Sequence, residues 1–290
     1  MKILILGGRG QLGKCLNDQF KNTHHKIILT CRDQIDITNF QQSKNIILDI
    51  SPDVVINATA YTDVDNAEKN TKISDLINNY SVANIATTCK KANAFLFHIS
   101  TDYVFDGKSN IPYKENDETN PLCIYGKTKL AGEIAIKSSG CKHIIIRTSW
   151  VYSEYEKNFL KTMLLLGKDQ DELSIIGDQI GCPTYAQDIA KAIVKILSQI
   201  KLDKIYGLYN FCGDQILSWY DFSKIIFNCA KKNNFKTPNI VNKIETSAFP
   251  KSAKRPPFSA LDCTRINNSF GVINSNCIDG INQAIRMLKV

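Results

Sequence analysis

The chain opens on Lys2–Leu6, where four aliphatic residues follow one another with no polar position between them. Such a run is the mark of a strand buried on both faces. Comparable short apolar runs recur at Lys26–Cys31, Asp53–Asn57, Ala94–Ile99 and His143–Arg147. Between them the apolar positions fall three and four residues apart, over Gln11–Phe20, Phe40–Ile50, Leu76–Ala92 and Tyr125–Lys137, which predicts helices. The order βαβαβαβαβ with short connections predicts an α/β fold, a Rossmann-type doubly wound parallel sheet.

The stretch from Thr101 to Ile124 breaks the alternation. It carries Gly107, Pro112 and Pro121 and shows no helical period, and a loop of that length in a compact domain is usually functional. Past Trp150 the pattern loosens. Helices are expected near Asn158–Leu166, Tyr185–Ile200 and Ser218–Ala230, a strand at Leu208–Cys212, and loop over Ile240–Ser259. The expected organisation is a cofactor-binding domain over 1–149, to which 178–211 returns, and a smaller substrate-binding lobe from 150–177 and 212–290.

Composition narrows the class without naming it. No apolar run reaches the length of a membrane span, and the apolar start runs straight into glycines, so a buried first strand is expected there and not a secretory signal. The ten cysteines are scattered with no C-x-x-C pair, which argues against a zinc site and a disulfide framework and fits a reducing cytoplasm. The net charge of +8 is spread along the chain and not clustered, so nucleic acid is not an expected partner. A mild positive field suits an anionic nucleotide ligand.

Gly7-Gly8-Arg9-Gly10-Gln11-Leu12-Gly13 follows the first strand and opens the first helix. Glycine at 7, 10 and 13 permits a tight turn, close approach of backbone to a pyrophosphate, and close helix–strand packing. The helix N-terminus adds free N–H groups for phosphate oxygens, near Gln11 and Leu12. A purely structural turn would use the same residues, but the strand–glycine–helix setting favours a dinucleotide. Where many NAD-binding strands end in an acidic residue, the second strand here ends in Arg32. Arg32 could meet a 2′-phosphate, which favours NADPH; its plainer reading is a solvated surface arginine. Asp36 and Ile37 just beyond could border the adenine. After the third strand Ala58, Ala60 and Tyr61 fall where a chain passes close beneath a cofactor.

Tyr125 and Lys129 stand four residues apart, on one face of a predicted helix. An ammonium beside a phenol would favour phenolate, lower its pKa and make Tyr125 a proton donor to a ketone. Lys129 would also bind the nicotinamide ribose. Thr101 lies just past the fourth strand, at the carboxyl ends where such sheets bind ligands, and its hydroxyl could stabilise charge on a carbonyl oxygen.

Six segments carry a resemblance over most of the length: Ser100–Gly107, Tyr125–Glu133, Arg147–Tyr152, Asn158–Leu164, Asp178–Thr184 and Arg255–Asp262. On these the chain resembles the dTDP-4-dehydrorhamnose reductases, members of the extended short-chain dehydrogenase family. The resemblance implies NADPH as cofactor, with NADH as a second candidate, and a nucleotide-linked keto-sugar as substrate. It implies Thr101, Tyr125 and Lys129 as the catalytic set, Asp102, Tyr103 and Trp150 around the sugar, and Arg255 near the diphosphate. A core tryptophan and a surface ion pair are the plainer readings of Trp150 and Arg255.

Two departures matter. Phe258 stands where the family usually has Asn before the serine. Some members hold magnesium between subunits through acidic residues near the glycines; here the helix opens Lys14-Cys15, so no metal is expected. A homodimer is left open. So are a UDP carrier, a talose-type product and a bifunctional epimerase–reductase, although the latter carries a cysteine after the threonine, where this chain has Asp102. From another class, the regulatory subunit of methionine adenosyltransferase keeps this fold to bind a partner. A pure binding module has no need of Thr101, Tyr125 and Lys129.

Overall fold

The structure, a computed structural model, describes residues 1–21, 23–199, 206–249 and 252–288. Ile200, expected to end a helix, and residues 250 and 251 of the expected loop lie outside them. So do residues 22, 200–205, 289 and 290 of the expected domain ranges.

Six parallel strands form the central sheet: β1 (Lys2–Leu6), β2 (Lys26–Thr30), β3 (Val54–Asn57), β4 (Phe95–Thr101), β5 (His143–Thr148) and the Gly207–Asn210 strand. Their spatial order is Gly207–Asn210, β5, β4, β3, β1, β2. Because side chains alternate across a strand, β1 divides its aliphatics between two cores. Ile3 and Ile5 join Val54, Ile56, Phe97, Ile144 and Ile146 on one face. Leu4 and Leu6 join Val55, Leu96 and Ile145 on the other. The Gln11–Phe20 and Ala186–Leu197 helices supply Leu16, Phe20, Ile189 and Ile193 to the first core. The Phe40–Ile50, Ser81–Ala92 and Ile124–Ser139 helices cover the second with Ile47, Ile85 and Ile136. A third cluster, built on Tyr152, Leu160, Met163, Phe222, Ile226 and Ile281, holds the Phe159–Asp169, Trp219–Lys232 and Cys277–Met287 helices together.

The structure adds detail to three of the expected stretches. The segment read as one helix over Leu76–Ala92 begins with a π-helical turn, Leu76–Tyr80. Buried Asn78 sits in that turn, accepts from the Tyr61 amide and donates to the Tyr61 carbonyl and to Thr128 Oγ1, so the wider turn pins the loop after β3 to the helix carrying Tyr125. The Ile240–Ser259 loop contains a strand, Ile240–Ile244, in parallel register with Glu172–Ile176. The Thr101–Ile124 loop is packed: Phe105 stacks on Tyr113 with centroids 4.1 Å apart, and the Tyr113 amide donates to the Ala260 carbonyl. All ten cysteines are free thiols, and nine are buried. No helix among the described residues is long and apolar enough to cross a membrane.

Candidate active site

β1 lies between β2 and β3, so the connection from β1 to β2 and that from β3 to β4 leave in opposite directions across the sheet. Such a reversal opens a crevice at the carboxyl ends of the strands. A cleft of about 590 Å³ lies there, walled by Gly10, Gln11, Leu12, Ala58 and Ala60 on one side and by Thr101, Asp102, Tyr103, Tyr125, Lys129 and Trp150 on the other. A larger groove of about 900 Å³ runs past Lys161 and Lys168 and meets the cleft only at Glu156 and Lys157; none of the catalytic candidates lines it.

The glycine loop is tight. Gly7 has φ +89°, which favours glycine, and a Cβ on Gly13 would lie 2.2 Å from the Gly7 carbonyl oxygen and 2.7 Å from Gly8 Cα. Gly10 caps the first helix without a side chain, and no acidic residue occupies the first turn. A bare, uncapped N-terminus beside a glycine cradle fits a dinucleotide pyrophosphate. Replacing Gly13 by Ala should cost about 1–3 kcal/mol of stability through overpacking and weaken dinucleotide binding. Urea unfolding and titration of cofactor fluorescence would measure both.

Arg32 is exposed and pairs loosely with Asp36 at 3.7 Å. Arg9, from within the glycine loop, reaches the same corner and binds Asp33 at 2.6 Å. Asp36 is turned to the Thr38 amide and hydroxyl, whose hydrogen bonds lead in holding its carboxyl below the usual range. Ile37 is buried in the second core with Ile35. Tyr61 is held by Asn78, while its neighbours Ala60 and Thr62 face the cleft.

Cys123 caps the helix that begins at Ile124 and places Tyr125 in its first turn, Lys129 one turn on. Tyr125 lies edge-on to Tyr103, centroids 5.6 Å apart. Burial pushes the Tyr125 phenol up, and a hydrogen bond with Thr101 offsets this in part. The expected lowering of this phenol by Lys129 is not found: the ammonium is directed to the Ile99 carbonyl at 2.6 Å and His98 Nε2 at 3.3 Å. Lys129 is itself lowered from 10.5 to about 8, by burial, with Glu133 acting the other way.

Thr101 donates to Asp102 Oδ1 at 3.0 Å and accepts from the Tyr103 amide. Burial raises Asp102 from 3.8 to about 7, against hydrogen bonds from Ser259 and Thr101. The Ser259 hydroxyl reaches Asp102 Oδ2 at 2.6 Å, so the serine beside Phe258 serves the floor of the cleft. Trp150 has φ +47° and stacks on Trp219, centroids 3.4 Å apart and planes within 5°. Arg255 does not line the cleft. Its guanidinium grips Asp65 at 2.8 and 3.2 Å, next to Tyr103.

The sequence reading did not single out Trp219, Ser259 or Arg9. Trp219 directly follows a serine N-cap, and an aromatic at the start of a helix was the one cue to it. Arg9 sat in plain view inside the glycine motif. For Ser259 no local signal exists, since its partner is 157 residues away.

The sequence matches the family described as RmlD substrate binding domain over residues 1–290. The chain belongs to the dTDP-4-dehydrorhamnose reductase family. It is 42% identical over 276 residues to the dTDP-4-dehydrorhamnose reductase of Aggregatibacter actinomycetemcomitans, covering 93% of this chain and 94% of that one. The crystal structure of a dTDP-4-dehydrorhamnose reductase from Clostridium acetobutylicum superposes with a TM-score of 0.93 at 36% identity, over 100% of both chains. That of Bacillus anthracis, in complex with NADP, gives a TM-score of 0.92 at 34% identity over 99% of both. Members of this reductase family are NAD(P)H-dependent oxidoreductases, and the chain is one of them.

Proposed function

We propose that the enzyme reduces the C4 ketone of dTDP-4-dehydro-6-deoxy-L-mannose to dTDP-L-rhamnose with NADPH. The observation that carries this reading is the meeting of Thr101, Tyr125 and Lys129 with the glycine cradle in one cleft. When bound, NADPH supplies hydride to the carbonyl carbon. Gly7, Gly10, Gln11, Leu12 and Gly13 would hold its pyrophosphate, Ala58, Ala60 and Tyr61 its nicotinamide half, and Lys129 the ribose hydroxyls. Thr101 turns its hydroxyl proton from Asp102 Oδ1 to the ketone oxygen, and Tyr125 passes its proton to that oxygen as charge develops there. Its raised phenol pKa keeps that proton in place at neutral pH. Asp102, Tyr103 and Trp150 surround the sugar. Arg255, already poised beside Tyr103, binds diphosphate by exchanging Asp65 for phosphate oxygens.

The chain division that suits this reading is a cofactor domain from 1–149 with 178–211, and a substrate lobe from 150–177 and 212–290. Pairing of the Gly207–Asn210 strand with β5 supports the return of the second segment to the first. Ten free thiols support a reducing, cytoplasmic setting.

The test follows NADPH absorbance on adding the protein to dTDP-4-keto-6-deoxyglucose, with and without a separate 3,5-epimerase. Oxidation only with the epimerase supports the reading. Oxidation without it points to a bifunctional enzyme or another 4-keto sugar, and silence in both to another nucleotide carrier. Arg32 tests the cofactor choice: Arg32→Ala should raise KM for NADPH about tenfold, the scale of one partly screened charge–phosphate contact, and leave KM for NADH unchanged.

A further inference from the structure

A file of polar side chains runs beneath the cleft from β3 across β4 to the Ile124–Ser139 helix. Asn57, at the end of β3, accepts the Thr59 amide at 3.1 Å and the Thr59 hydroxyl at 2.5 Å on its Oδ1. A backbone amide can only donate, so the Asn57 carbonyl must face Thr59 and its Nδ2 must face His98. Nδ2 stands 3.2 Å from His98 Nδ1 and also can only donate. His98 Nδ1 is thereby the acceptor, and the neutral ring carries its proton on Nε2. Nε2 lies 3.3 Å from Lys129 Nζ, which also donates to the Ile99 carbonyl. An N–H aimed at an amine is a hydrogen bond only when the amine offers a lone pair, and an ammonium offers none. Asn57 and His98 are fully buried and Lys129 is 1% exposed, so solvent does little to soften the conflict.

We propose that His98 is a positioning residue that sets the charge on Lys129: its Nε2–H, fixed by Thr59 through Asn57, disfavours the ammonium and readies the side chain to give up a proton. Burial acts in the same direction on Lys129, and burial first, then Lys129 and His143, keep His98 neutral by holding it well below 6.5. The groups acting on Lys129 are few. Glu133, one turn along its own helix, favours the charge, but is itself gripped by Arg147 of β5 at 2.7 Å. Asp102 and Tyr125 share the cleft with it. The polarity of the file runs one way, from Thr59 to Lys129.

The consequence for turnover rests on the function proposed above. A lysine whose proton affinity is lowered loses its charge as pH rises through about 8, and one of its donors to the cofactor ribose goes with it. Activity should then fall on the alkaline side of that window. Asn57→Asp reverses the file. A carboxylate still accepts from Thr59, but it now also accepts from His98, moving the ring proton to Nδ1 and turning Nε2 toward Lys129 as an acceptor. The lysine proton should bind about tenfold tighter, moving its midpoint up by about one pH unit.

The experiment reads both groups directly, without turnover, on the full-length chain. Long-range ¹H–¹⁵N correlation of the histidine rings should give His98 as the neutral Nε2–H tautomer throughout the neutral range. An Nδ1–H tautomer or a charged ring would overturn the proposal, whatever the substrate proves to be. Titration of the Lys129 ¹³Cε signal should show the upward shift in Asn57→Asp; an unmoved midpoint in a folded variant also overturns it. Should Asn57→Asp fail to fold, the wild-type tautomer alone decides. A failed keto-sugar assay leaves both readouts intact, so the two readings fail separately.

Discussion

Replacing Tyr125 by Phe is expected to lower kcat about 10²–10⁴-fold, the range for loss of a positioned general acid, while NADPH affinity stays within a factor of two or so. The change removes one oxygen and leaves the ring against Tyr103, where the edge-on contact does not involve the hydroxyl. The partner that loses a contact is Thr101, which keeps its bonds to Asp102 and the Tyr103 amide. The site therefore stays assembled and only the proposed proton source is gone. Single-turnover oxidation of bound NADPH, set beside calorimetric titration of the cofactor, separates the two quantities. Undiminished turnover would show that the proton comes from elsewhere.

The largest effect on stability is expected at Arg147. It lies on β5, 2% exposed, and binds Glu133 through Nε at 2.9 Å and Nη2 at 2.7 Å. Its third nitrogen reaches the Glu115 carbonyl, and the guanidinium lies 5.0 Å from the centroid of the Phe105 ring. Ser100 donates to the same carboxylate at 2.5 Å. Arg147→Met keeps the length and apolar bulk but strands a buried carboxylate, a loss of about 3–5 kcal/mol. Adding Glu133→Gln removes the stranded charge while keeping an acceptor for Ser100, so the double variant should recover much of that loss. Urea unfolding of the two single variants and the double one closes the cycle. Equal destabilisation in Arg147→Met and the double variant would mean that the shape of the arginine matters and its charge does not.

Much of the first half of the chain was legible because its signals are local. A strand buried on both faces has to be written as a continuous apolar run, and β1 to β5 are so written. The glycine motif is local as well, since each glycine answers to backbone within a few residues, as Gly13 does to Gly7. The spacing of Tyr125 and Lys129 put both in the cleft. What spacing could not tell was the balance of forces there: burial outweighs any help from the ammonium, and the phenol goes up. The segments after Trp150 were harder. Ile240–Ile244 is half exposed and pairs with one other short strand, so its polar positions looked like loop. The Asn78 turn reads as ordinary helix until its partners at Tyr61 and Thr128 are known. Arg255 looked free to meet a phosphate because Asp65, its partner, is 190 residues away in sequence.

The sequence contains two tryptophans, and both line the cleft, stacked face to face at 3.4 Å. Every photon of indole emission from this protein thus originates at one spot. Rings so close and parallel couple as a pair, and the coupling changes with angle and separation. The stack joins the residue two past β5 to the first turn of the Trp219–Lys232 helix, and both rings pack against the third cluster. Near-ultraviolet circular dichroism and emission intensity would therefore follow any shift between those parts as ligand enters, with no label attached.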